Sequence, residues 1–155
     1  MAKLNIVKFG EETLRKVCRP VDEITPKIVR LLDDMIETMR AANGCGLAAP
    51  QVGVLRRIAV IEVEEGTVYE LINPKIIAYS GEQKEVEGCL SNPGRWGLTK
   101  RPMAGTVRAM NRHGETYDLT GKELLARAIC HECDHLDGKL YTDVQIRPLT
   151  EEELR

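Results

Sequence analysis

The sequence predicts an α+β fold: antiparallel β-sheets packed around a C-terminal helix that carries a His-Glu-x-x-His pattern, with an amphipathic helix near the N-terminus. Three observations carry this expectation. Apolar residues recur at helical spacing between residues 26 and 42, short β-like runs follow between residues 56 and 119, and helix formers return from Lys122 to Leu136.

The first helix opens after Thr25, a residue suited to N-capping, with Pro26 at the first helical position, where its missing N–H costs nothing. Ile28, Leu31, Leu32, Met35, Ile36 and Met39 then form one apolar face, and Asn43-Gly44 stops the helix. The β-like runs are "RRIAVIEV", "VYELINPKII", the polar-rich "SGEQKEVEG", and "AGTVRAMNRHGETYDL", which reads as a hairpin turning at His113-Gly114. No repeat, low-complexity stretch or linker divides the chain, so residues 1–155 are expected to form a single domain.

With 22 basic and 24 acidic residues the net charge is −2, and no run of like charge is long enough for a nucleic-acid patch. The N-terminal stretch has no apolar run of signal-peptide length, and nothing approaches the roughly 18 apolar residues of a membrane span. A cytoplasmic protein is expected. Five cysteines, Cys18, Cys45, Cys89, Cys130 and Cys133, then read as packed thiols, metal ligands or reactive groups rather than disulfides.

The chemistry is concentrated in "ICHECDHLDG". His131 and His135 are separated by about 40° around a helix, so both imidazoles can face one metal ion. Glu132 lies beside them, placed to take a proton from a water that the metal activates. Two ligands rarely hold a catalytic metal, and the third has several candidates. A metzincin would have histidine where Tyr141 stands, and Glu151, Glu152 and Glu153 lie too near the end of the chain for a ligand-bearing helix. Cys130 and Cys133 point about 100° and 200° away from His131, and His113 and Cys18 have no companion ligands nearby. Cys89, in "VEGCLSNPG", could approach the helix from a sheet and leave a fourth position open, or be a small buried hydrophobe.

Three segments resemble, in order, the signature motifs of the peptide deformylases: "GCGLAAPQ" (Gly44 to Gln51), "EGCLS" (Glu87 to Ser91) and "HECDH" (His131 to His135). "TLRKVCRPV", "VGVLRRIAVI" and "LINP" extend the likeness over nearly the whole chain. The resemblance implies a cytoplasmic hydrolase that removes the formyl group from the formyl-methionine of nascent polypeptides and releases formate. It also implies Cys89, His131 and His135 as metal ligands, usually of Fe(II), with Zn, Ni or Co as replacements. Glu132 would be the general base, and the Gln51 side chain and Leu90 N–H would donate to the developing oxyanion. By the same resemblance Gly44, Cys45, Gly46 and Gly88 would meet an extended substrate, Glu85, Leu124, Arg127 and Ala128 would join Cys45 around its methionine, and Glu87 would pair with Arg101. The stem of Arg127 could wall that pocket while its head reaches water. Beyond nascent peptides, the implied partner is a transient ribosome contact, with no specific nucleic acid and no membrane. Two other readings stand beside this one: a different small metallopeptidase using the same helix, and a catalytically silent peptide-binding relative.

Overall fold

The structure, a computed structural model, describes residues 2–155. Among the described residues eight strands form two antiparallel sheets. The larger has the order β1-β2-β3-β6-β7, with β1 Gly46–Ala48, β2 Ile58–Ile61, β3 Tyr69–Ser80, β6 Ala104–Met110 and β7 Thr116–Lys122. The smaller has the order β4-β5-β8, with β4 Gln83–Glu87, β5 Trp96–Arg101 and β8 Gln145–Leu149. The helices are α1 Pro26–Ala41, α2 Leu124–Leu136 and a single turn, α3, Tyr141–Val144. No helix is long and apolar enough to cross a membrane among the described residues.

The larger sheet is covered on both faces, and its strand sequences record this. Leu47, Ile58 and Val60 pack with Leu32, Met35 and Met39 of α1. Their neighbours Ala48, Ala59 and Ile61 face the other way, into a cluster with Ala128, Ile129 and Leu136 of α2. Because side chains alternate along a strand, a run apolar at every position, such as Ile58–Ile61, suits a strand buried on both sides.

The N-cap of α1 is Thr25, whose Oγ1 accepts from the Ile28 N–H. Leu32, Met35 and Met39 are fully buried, and truncating one of them to alanine would cost roughly 2–5 kcal/mol. α2 ends in a glycine stop: Gly138 has φ +74, and the Lys139 N–H reaches back to the Asp134 carbonyl at 2.9 Å. The helix end requires glycine at this position, and any Cβ there would lie 2.4 Å from the Arg15 carbonyl oxygen.

The expected hairpin forms between β6 and β7, with His113 exposed in its turn. Two expectations are corrected. α2 begins at Leu124 rather than Lys122, since Lys122 closes β7 and Glu123 takes a positive φ of 54 between strand and helix. Nor is the helix the last element: the chain returns as β8, which adds to β5 and leaves α2 between the two sheets.

Candidate metal centre

The site lies where α2 meets an edge of each sheet. From α2 come His131 and His135, on successive turns, with ring centroids 4.9 Å apart. From the segment after β4 comes Cys89, whose Sγ lies 3.3 Å from His135 Nε2. One ligand atom of each of these three residues lies within 4.8 Å of the others, which is the spacing of donors around one metal ion. Cys18, Cys130, Cys133 and His113 stand outside this cluster.

The other ring nitrogen of His131, Nδ1, is 2.5 Å from Glu87 Oε2, so Nε2 is the atom left to face a metal. Glu87 is itself locked. Arg101 donates to it through Nε at 3.0 Å and Nη2 at 2.7 Å, and the Thr99 hydroxyl donates at 2.9 Å. Arg101 also donates to Asp134 of α2 at 2.7 Å, so one guanidinium joins β4 to the helix. Burial would raise the Glu87 carboxyl, but hydrogen bonds from His131 and then Arg101 outweigh it and hold the group at about 2.

The charges around the cluster call for a cation. Burial opposes protonation of His131, yet the charge of Glu132, followed by contacts with Cys89 and Glu87, raises it well above its ordinary value. His135 is held well below, by burial first and by the charge of His131 second. Burial lifts Glu132 to about 7. A metal held by these ligands would supply the positive charge in place of the proton, and would draw Glu132 down again. Glu132 is 3% exposed, and its Oε1 has no hydrogen-bond partner among the described residues. His135 Nδ1 is likewise buried without a partner.

These groups open into a cavity of about 430 Å³. Gly44, Cys45, Gly46, Gly88, Leu124, Arg127 and Ala128 all line it, with Gln51, Cys89, Leu90, His131 and Glu132. Glu85 does not: it is exposed at the middle of β4, whose ends alone are covered by α2 through Gln83 and Glu87. Arg127 is half-buried and its Nη1 donates to Gln83 Oε1 at 2.7 Å, while Gln83 Nε2 is held by the carbonyls of Pro102 and Glu123.

The glycines serve the protein's own side chains. A Cβ on Gly46 would lie 2.2 Å from Glu132 Oε2, and one on Gly88 would lie 2.8 Å from the Trp96 ring. Gln51 is buried, its Oε1 accepting from the Ala48 N–H while Nε2 donates to Ser91 Oγ at 3.0 Å and, more weakly, to Cys89 Sγ at 3.5 Å. Among the described residues no backbone hydrogen bond outside the helices and strands uses the Leu90 N–H.

Sequence reasoning missed the contacts of Glu87 with His131 and of Asp134 with Arg101. It also missed Ser91 beside Gln51 and Tyr141 stacked on His131. Glu87 and Ser91 lie inside the "EGCLS" segment, whereas Tyr141 carries no sequence signal beyond standing where a metzincin would have histidine.

A family model described as polypeptide deformylase matches residues 3–151. A peptide deformylase of Acetivibrio thermocellus is 57% identical over 154 residues, covering 99% of this chain and 90% of that one. The crystal structure of a peptide deformylase from Legionella pneumophila superposes with a TM-score of 0.90 at 38% identity, covering 98% of this chain and 89% of that one. That of a peptide deformylase from Ehrlichia chaffeensis in complex with actinonin gives 0.91 at 37% identity, covering 98% and 91%. The mixed α/β fold with antiparallel sheets is the one these structures share with this chain.

Proposed function

Because the chain belongs to the polypeptide deformylase family, we propose that Cys89, His131 and His135 hold its metal and that Glu132 moves the protons of amide hydrolysis. The chain is an enzyme of that family, a metal-dependent hydrolase that deformylates nascent polypeptides. The observation that carries the ligand assignment is the convergence of one sulfur and two imidazoles within 4.8 Å, beside a buried carboxylate with an unpartnered oxygen. The metal is Fe(II), with Zn, Ni or Co able to replace it at a thiolate and two imidazoles.

When bound, the metal acts as a Lewis acid toward the formyl carbonyl and lowers the pKa of water. Glu132 takes the proton of the attacking water and returns it to the amide nitrogen as the carbon–nitrogen bond breaks, leaving formate and a free amine. Negative charge on the formyl oxygen is met by the Leu90 N–H and by Gln51 Nε2, which exchanges its long contact to Cys89 for the oxyanion. Each such donor is worth roughly 3 kcal/mol of barrier.

The substrate is the formyl-methionyl end of a nascent chain, met in the cytoplasm near the ribosome. β1 and β4 are both edge strands, and residues beside each line the cavity, so an extended peptide can add to them through backbone hydrogen bonds. Cys45, Leu124, Ala128 and the stem of Arg127 then surround the first side chain. The test is formate release from a formyl-Met peptide by anaerobically purified protein, with metal analysis of variants. Glu132→Ala should keep its metal and lose turnover, and Cys89→Ala should lose metal. Internal peptide cleavage without formate would overturn the reaction, and full occupancy in Cys89→Ala the ligand assignment.

A further inference from the structure

We propose that Asn92 and Tyr141 are positioning residues of the metal centre: their hydrogen bond ties the turn bearing Cys89 to the ring stacked behind His131. The inference rests on the ligand assignment above. His131 and His135 are fixed by the backbone of α2, and His131 also by Glu87. Cys89 has no such frame, since it lies outside every strand and helix.

What shapes its segment is a turn closed by the Asn92 N–H, which donates to the Cys89 carbonyl at 2.9 Å. The side chain of Asn92 then reaches out of the turn, and its Nδ2 donates to the Tyr141 hydroxyl oxygen at 2.9 Å. Tyr141 is 2% exposed and cannot follow the turn if it drifts. Its ring lies 6.3 Å from that of His131 with an interplanar angle of 19°. Phe9 packs 5.8 Å away, and the Phe9 N–H donates to the Ser91 carbonyl inside the same turn. On β5, a Cβ at Gly97 would lie 2.1 Å from Gln145 Oε1 and 3.2 Å from the Tyr141 ring, so both side chains pack over this glycine.

Asn92 and Tyr141 therefore join the sulfur ligand to one of the nitrogen ligands. A thiolate on an untethered loop must be ordered each time it binds, which favours dissociation. Removing a partner behind the ligands typically costs 10–100-fold in metal affinity.

The experiment loads metal-free protein with Co(II) under anaerobic conditions and follows thiolate-to-cobalt absorption and the rate of metal loss to a chelator. Asn92→Ala and Tyr141→Phe should each shift the band and speed metal loss about 10-fold. The double variant should be no faster than the faster single one, because both changes remove one bond. Wild-type spectra and loss rates in both single variants, even with a lowered unfolding midpoint, would overturn the inference, as would effects that multiply in the double. Tyr141→Phe keeps the ring and its packing, so it carries the test should Asn92→Ala fold poorly. Cys89→Ala is the reference. An unchanged cobalt spectrum there removes the ligand assignment and the tether with it, whereas loss of the band there with wild-type behaviour in the other variants removes the tether alone.

Discussion

Replacing Arg101 with methionine isolates the buried network that orients His131. Arg101 and Glu87 are 6% and 7% exposed, so neither charge can turn to water when its partner is removed. The substitution keeps an apolar stem but strips two hydrogen bonds from Glu87 and one from Asp134. Breaking a buried pair from one side costs roughly 3–5 kcal/mol, because the remaining charge is stranded. Glu87 keeps the Thr99 hydroxyl and His131 as partners, which places the loss near the lower end, about 3 kcal/mol. For a chain of this length each kcal/mol moves the melting midpoint by roughly 2–4 °C, so a fall of about 6–12 °C is expected. Denaturant unfolding of the metal-free protein measures it, with the slope unchanged if the unfolded state is untouched. Adding Glu87→Gln removes the stranded charge and should recover at least about 1 kcal/mol. A single variant within about 1 kcal/mol of wild type, or a double variant that is simply additive, would refute the reasoning.

Three further outcomes are expected. Gly46→Ala brings a methyl to 2.2 Å from Glu132 Oε2, so it should lower kcat by about 100-fold or more, the range general acid–base catalysis supplies, with metal content retained; wild-type turnover would mean that Glu132 need not hold this position. Gly138→Ala combines φ +74 with a 2.4 Å approach to the Arg15 carbonyl and should cost more than about 1 kcal/mol in denaturant unfolding. Burial, then the charges of Glu70 and Tyr69, push the Tyr117 phenol up to about 12. The fold favours the neutral phenol, so its contribution is complete below the unfolded value of about 10 and is lost as pH rises through about 12. Tyr117→Phe should flatten the stability profile over that window, and equal slopes would contradict the assignment.

Elements with an apolar face were legible in the sequence, and those with a polar interior were not. α1 follows its cap, its proline and its apolar spacing to within one residue of the expected end. β5 was missed because its buried positions in "WGLTKR" include Thr99 and Arg101, whose partner is the Glu87 carboxylate rather than a hydrophobic core. A strand facing an ion-pair network lacks the alternation by which strands are recognised. β1 has only three residues, too few for any period, and exists because β2 offers it a partner.

The same distinction runs through the site. His131, Glu132 and His135 share one stretch of helix, so their relation follows from helical geometry and needs no knowledge of the fold. Cys89 reaches them from the turn after β4, and helical geometry only left room for it; the family resemblance points to it. The groups behind the proposed ligands are further still from local pattern. Glu87 touches His131 because α2 crosses the end of β4, and Tyr141 stacks against His131 from a separate turn beyond the helix, bonded to Asn92. In the sequence Tyr141 stands only where a metzincin would have its third histidine. In the fold it stacks on the first histidine and bonds to the turn of Cys89, so its place is determined by these tertiary contacts rather than by its distance along the helix.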